Sequence, residues 1–121
     1  MAKILVCDDS AFMRMMLKKL LIDNGHEIVG EAGDGKQAVQ LFRQFQPELT
    51  TMDITMPKMD GIEAVRMIRE EFPSAVIIMV TAIGQKAVIS DALQAGASDF
   101  LVKPFDPAQV LETIQKVLRR Q

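Results

Sequence analysis

The sequence has a single cysteine, Cys7, and so cannot close an internal disulfide. A disulfide-stapled fold is excluded, and the composition fits a reducing compartment. Tryptophan and tyrosine are absent. Long apolar runs are absent too. Ile4-Leu5-Val6-Cys7 is far too short for a secretory signal or a membrane span. Neither sign of charge is in large excess. A net charge of -2, with no long basic run, argues against nucleic-acid binding by this chain alone. No linker, repeat or low-complexity stretch divides it. What is there is 121 residues, 49% apolar and 25% charged, enough for one globular domain with a real core. Methionine is frequent, at nine residues, and most of it reads as adaptable core filler.

The apolar pattern reads as a strand followed by a helix, repeated through the chain. Lys3 to Cys7 is a short apolar strand. Asp8-Asp9-Ser10 can cap the helix that follows. That helix runs from about Ala11 to Asn24, with Met13, Met16, Leu17, Leu20 and Leu21 at helical spacing towards the core. Phe12 and Met15 lie off that stripe. Gly25 ends the helix. Glu27 to Glu31 is a more polar strand, suited to a sheet edge. After an Asp34-Gly35 turn, Ala38, Val39, Leu41, Phe42 and Phe45 give the second helix its stripe, and Pro47 ends the unit. Leu49 to Met52 is the third strand and Gly61 to Phe72 the third helix. Ala75 to Thr81 is an unbroken strand whose apolar character suggests burial on both faces, as in a parallel sheet. Gly84 opens the fourth helix, with Val88, Ile89, Ala92 and Leu93 inward, and Gly96 closes it. Phe100 to Val102 is the fifth strand. Lys103-Pro104 ends it, and the last helix runs from about Asp106 to Arg119. Lys116, Arg119 and Arg120 suit that helix's C-terminal dipole. Strict alternation with short loops predicts an α/β fold, a parallel sheet covered on both faces by right-handed crossovers.

In such a sheet, ligands bind at the carboxyl ends of the strands, near the switch in strand order. The residues standing there are Asp8 and Asp9, Asp53, Thr81 and Lys103. Glu31, on an edge strand, is expected further away. Each has a bland reading: helix capping for Asp8-Asp9, a β-forming side chain for Thr81, a solvated surface charge for Lys103. Their coincidence at aligned strand ends is the signal. Three carboxylates brought together repel one another and call for a cation. An all-oxygen set suits Mg²⁺. A hard cation, an ammonium and a hydroxyl around one carboxylate make a phosphoryl-transfer site, with Asp53 as the nucleophile. The loop after Asp53 is shaped by Pro57, which fixes its own φ, and by Gly61, expected to supply a backbone conformation that other residues resist.

Val6-Cys7-Asp8-Asp9-Ser10, Met52-Asp53-Ile54-Thr55-Met56-Pro57-Lys58-Met59-Asp60-Gly61, Val80-Thr81-Ala82 and Val102-Lys103-Pro104-Phe105 together resemble the motifs of response-regulator receiver domains, in order and across the whole chain. The resemblance implies a flavodoxin-like, doubly wound five-stranded sheet of order 2-1-3-4-5 flanked by five helices. It implies one receiver domain over residues 1–121, with no output domain attached. It implies that Asp53 is the phosphoacceptor. Asp9, Asp53 and the Thr55 backbone carbonyl would hold Mg²⁺ directly, with Asp8 acting through water. Thr81 is similar to the switch hydroxyl of the family and Lys103 to its phosphate-pairing lysine. The Lys103–Pro104 bond matches a cis peptide. Phe100 stands where the family carries an aromatic switch residue, often Tyr, and keeps the ring without the hydroxyl.

The implied donor is a phosphohistidine on a sensor histidine kinase. The implied output surface is the fourth helix, fifth strand and fifth helix. Stand-alone length and the wording of the first helix and central loop are similar to the chemotaxis regulators of the family. That implies a cytoplasmic monomer that binds a flagellar motor switch protein and has a phosphatase as a further partner. Such a protein is not a turnover enzyme; it catalyses only its own phosphoryl transfer and slow dephosphorylation. The alternatives are a phosphorelay intermediate, a receiver excised from a larger DNA-binding regulator, and a Mg²⁺-dependent phosphatase with an aspartyl-phosphate intermediate. The last of these places a second Asp two residues after the nucleophile as acid/base. Here Thr55 occupies that position, and the proton shuttle is missing.

Overall fold

The computed structural model describes residues 2–82 and 86–120. The elements alternate: β1 (Lys3–Cys7), α1 (Ala11–Asp23), β2 (Glu27–Ala32), α2 (Gly35–Phe45), β3 (Leu49–Asp53), α3 (Gly61–Glu71), β4 (Ile77–Ala82), α4 (Lys86–Ala95), β5 (Asp99–Lys103) and α5 (Pro107–Arg119). The strands form one parallel sheet of order β2-β1-β3-β4-β5. This is the flavodoxin-like order expected, with the polar β2 at an edge. The opening of α4 expected at Gly84 lies outside the described residues.

Strand side chains alternate between faces and divide the core in two. Leu5, Cys7, Met52, Ile77 and Met79 pack with Ala38, Val39, Phe42, Ala64, Val65, Ile68 and Ala92, under α2, α3 and α4. Ile4, Val6, Leu49, Ile78 and Leu101 pack with Leu17, Leu21, Val110, Ile114 and Val117, under α1 and α5. Burial on both faces explains the near-continuous apolar runs of β1 and β4. Helices α1, α2, α3 and α5 start on side-chain caps. Ser10, Asp34, Asp60 and Asp106 accept from the backbone N–H of Met13, Gln37, Glu63 and Ala108, satisfying donors that the first turn leaves unpaired.

Three expected core residues are partly outside. Met16, Phe45 and Leu93 are each 43% exposed. In α1 only Leu17 and Leu21 are fully buried, so its contact stripe is narrower than the pattern suggested. Phe45 is the last residue of α2 and lies against Gly30 of the edge strand, where no further strand covers it. In α4 only Ala92 is fully buried, which leaves Leu93 on its rim. β3 and β5 run further than expected because pairing continues at Asp53–Val80 and Ala82–Lys103. β4 starts at Ile77 rather than Ala75, although Ala75 and Val76 are buried. Among the described residues no helix is long and apolar enough to cross a membrane.

Candidate functional site

Register brings the site together. Cys7 pairs with Met52, so the next residues, Asp8 and Asp53, leave adjacent strands side by side at the switch in strand order. Asp53 pairs with Val80 and Ala82 with Lys103, which sets Thr81 and Lys103 on the next two strands at the same end. Carboxylate oxygens of Asp8, Asp9 and Asp53 lie within 4.8 Å of one another. Lys103 Nζ lies 2.9 Å from Asp8 Oδ2 and 3.2 Å from Asp53 Oδ2. Asp9, Asp53, Ile54, Thr55, Thr81, Ala82 and Lys103 line a cavity of about 220 Å³. A larger groove of about 700 Å³ runs between α1 and β2, but its cations Arg14 and Lys18 are already tied to Glu31. Size therefore does not locate the chemistry here.

Asp8 does not cap α1, a role taken by Ser10; its two oxygens have different partners. Its Oδ1 accepts from the Ser10 N–H at 2.9 Å, while its Oδ2 pairs with Lys103. Asp53 is only 6% exposed. Its Oδ1 has a long contact, 3.4 Å, from the Thr55 N–H, and its Oδ2 accepts from Lys103. Thr81 is buried, and its hydroxyl donates to the Ala82 carbonyl at 3.4 Å. Asp9 is exposed at the cavity mouth.

Burial, and then the neighbouring Asp8 charge, push the Asp53 carboxyl up from its ordinary 3.8 to about 6, against the opposing pull of Lys103. Burial alone would lower the Lys103 ammonium. The hydrogen bond to Asp8 and the charges of Asp53 and Asp8 outweigh it, and the net shift is upward. Cys7 is fully buried, and burial together with Asp8 pushes its thiol far up, so it is no nucleophile at neutral pH. One ammonium does not balance three carboxylates. The donor set is hard oxygen throughout and close enough for one small ion. These residues fit Mg²⁺.

The loop after Asp53 closes on itself through the Gly61 N–H, which donates to the Ile54 carbonyl at 2.8 Å. Gly61 does not use a left-handed backbone; among the described residues positive φ at glycine occurs only at Gly25 and Gly96. The expectation about Gly61 is corrected: the requirement is space, since a Cβ there would sit 2.0 Å from the Asp53 carbonyl oxygen. The left-handed residue of the loop is Lys58, at φ 68°.

Glu31 stands apart, as expected, bound to Arg14 at 3.0 Å and Lys18 at 2.5 Å. Phe100, on β5, is 37% exposed and lines a cavity with Asp99, Val102 and Lys116. Phe12 and Met15 are exposed on α1. The Lys103–Pro104 bond is cis. Arg14 was not foreseen. Its Nη1 donates to the Asp8 backbone carbonyl at 2.5 Å while its Nε is held by Glu31. The available signal was a lone cation in the apolar stretch Phe12-Met13-Arg14-Met15-Met16.

With the geometry in hand, the family described as the response regulator receiver domain matches residues 4–115. The chain belongs to the response regulator receiver family. This receiver is 53% identical over 116 residues to the chemotaxis protein CheY of Bacillus subtilis, covering 96% of this chain and 97% of that one. It is 48% identical over 115 residues to the chemotaxis protein CheY of Thermotoga maritima, covering 95% and 96%. Among solved structures, the receiver superposes on the CheX–CheY–BeF3–Mg complex from Borrelia burgdorferi with a TM-score of 0.91 and 38% identity, covering 95% of this chain and 87% of that one. Receiver domains of this kind are signalling switches rather than turnover enzymes, and they commonly bind Mg²⁺ in an acidic pocket.

Proposed function

We propose that this receiver is a phosphorylation-activated switch that accepts a phosphoryl group on Asp53 from a phosphohistidine of a sensor histidine kinase. The observation that carries the reading is the placement of Asp53. It is a buried carboxylate at the end of the central strand, with two further carboxylates and the Lys103 ammonium around it. In the transfer, an Asp53 carboxylate oxygen attacks phosphorus. The O–P bond forms as the P–N bond breaks, and the imidazole leaves with the electron pair and takes up a proton. The product is an acyl phosphate. Lys103, already on Asp53 Oδ2, is in reach to pair with the new phosphoryl oxygens, and the Thr81 hydroxyl can turn to donate to one of them. Asp9, Asp53 and the Thr55 carbonyl would hold Mg²⁺, with Asp8 behind them through water; bound there, the ion neutralises charge on the group being transferred.

The output is binding rather than turnover. Similarity to chemotaxis proteins over nearly the whole of their length supports a flagellar motor switch protein as the target, in the cytoplasm, with this receiver acting as a monomer and a phosphatase ending the signal. Thr81 and Phe100 are the switch pair. Thr81 moves towards the phosphoryl group, and Phe100, one strand away, turns in and changes the face formed by α4, β5 and α5. The test is treatment with a small phosphodonor and Mg²⁺, followed by intact mass. One phosphate per chain is expected, and none on Asp53→Asn. Undiminished phosphorylation of that variant sinks the assignment. Continuous donor consumption without an adduct would favour the phosphatase alternative.

A further inference from the structure

We propose that Gly35, the first residue of α2, is a positioning residue for the acceptor loop: the missing side chain lets the start of α2 lie directly against the loop backbone and brace it. A Cβ on Gly35 would fall 1.9 Å from the Met59 carbonyl oxygen, 2.6 Å from the Met59 carbonyl carbon and 2.7 Å from the Met59 Cβ. The nearest obstacles are backbone atoms, which cannot swing away as the end of a long side chain can. Gly35 is not left-handed, so conformation does not demand glycine there. By local preference alone, alanine in the first turn of a helix would be an improvement. The demand comes from the other segment.

Two further contacts and one unusual backbone conformation meet at the same place. The Gly35 N–H points to the Pro57 carbonyl at 3.5 Å. Asp34, the cap of α2 through Oδ1, lies with Oδ2 3.7 Å from Lys58 Nζ. Lys58 itself holds the left-handed backbone that a lysine seldom adopts, which needs surroundings that impose it. The loop thus rests on two glycine contacts. Gly61 lies against the Asp53 backbone at its base, and Gly35 against the Met59 backbone at its tip. Between them runs the segment that begins with Asp53 and Thr55. Pushing Met59 outward pulls on Gly61, and Gly61 sits on the Asp53 carbonyl. The brace therefore sets how closely Asp53 and Thr55 approach the other oxygens of the site, although Gly35 touches neither phosphate nor metal.

This inference rests on the reading that the Asp53 site binds Mg²⁺ and takes a phosphoryl group, and the controls separate the two. Gly35→Ala is compared with Gly33→Ala and Gly30→Ala, whose added Cβ would have side-chain atoms of Arg14, Gln37, Leu5 and Phe45 as its nearest neighbours, at 3.3 Å or more. Mg²⁺ affinity is measured by titration calorimetry, and stability by urea unfolding without metal. Gly35→Ala should weaken Mg²⁺ binding by about tenfold, the size seen when residues behind metal ligands are altered. It should also slow phosphorylation by a small donor at saturating Mg²⁺. The two control variants should keep wild-type Mg²⁺ affinity even where they lose stability; a merely structural role for Gly35 would give Gly35→Ala that same pattern. Should Gly35→Ala fail to fold in plain buffer, the comparison is repeated in an osmolyte that restores compactness, with every variant in the same solution. A folded Gly35→Ala with wild-type Mg²⁺ affinity overturns the brace. A wild type that binds no Mg²⁺ and takes no phosphate overturns the reading beneath it instead.

Discussion

Asp53 carries charge at a cost, and removing that charge should make the metal-free protein more stable. Its carboxyl sits at about 6 against an ordinary 3.8, because of burial first and Asp8 second. At about 1.4 kcal/mol per pH unit, holding it ionised at pH 7 costs the fold roughly 3 kcal/mol. That cost is already net of the pull of Lys103, so Asp53→Asn removes it and gives part back as the cost of burying an amide there, while Lys103 keeps Asp8 as its partner. A net gain of about 1–2 kcal/mol at pH 7 is expected. The sign follows from proton linkage. Between the unfolded and folded values the native carboxyl binds more protons than the unfolded one, so this group's contribution falls as pH rises from about 4 to 6. The advantage of Asp53→Asn should then grow across that window and be largely absent at pH 4. The assay is urea unfolding followed by circular dichroism in chelator, since the chain lacks tryptophan and tyrosine for fluorescence. Saturating Mg²⁺ should erase or reverse the difference, because the ion stabilises the wild-type site by mass action. Equal stability at pH 7, or an undiminished advantage at pH 4, would refute the account of Asp53 as a carboxylate held ionised against burial and the neighbouring Asp8 charge.

Asp9→Ala should weaken Mg²⁺ binding by tenfold or more in titration calorimetry while leaving the metal-free melting temperature equal or higher; unchanged affinity counts against a ligand role. Leu21→Ala empties a fully buried position under α1 and should cost about 2–5 kcal/mol in urea unfolding, whereas the half-exposed Leu93→Ala should cost well under half of that. Phe12→Ala and Met15→Ala, on the exposed side of α1, should slow phosphotransfer from a phosphohistidine partner but not from a small donor, and equal slowing with both would indicate damage to the site instead. Thr81→Ala should still accept phosphate while losing most of the gain in target affinity, on the order of 1–3 kcal/mol of coupling; a Phe100 ring that keeps one NMR environment with and without phosphate, beside unaltered target binding, would end the relay proposal.

Why some of this was legible beforehand and some was not comes down to range. β1 and β4 could be read because burial on both faces writes itself as an unbroken apolar run, and a parallel sheet of such strands gathers its strand ends in one place. Asp8, Asp9, Asp53, Thr81 and Lys103 were therefore foreseeable as a group. The start of α1 was legible at Asp8-Asp9-Ser10 because capping is local, whereas Asp34, which caps α2, read only as part of a turn. What failed depended on partners distant in the chain. Met16, Phe45 and Leu93 repeat at helical spacing, but how much of a helix is covered is set by the width of the sheet beneath it and by which edge lacks a neighbour. Arg14 read as a charge among methionines until β2 supplied Glu31 and the end of β1 supplied the Asp8 carbonyl. Gly35 was legible only as half of a turn, because a glycine demanded by space carries no local mark. Its reason lies at Met59, on another loop. The same holds for Gly61, where glycine was rightly singled out on the wrong ground. A glycine in a turn thus has two physical explanations, backbone freedom or close approach, and only the fold tells them apart. At both of these positions close approach wins, and both contacts bear on the loop that carries Asp53.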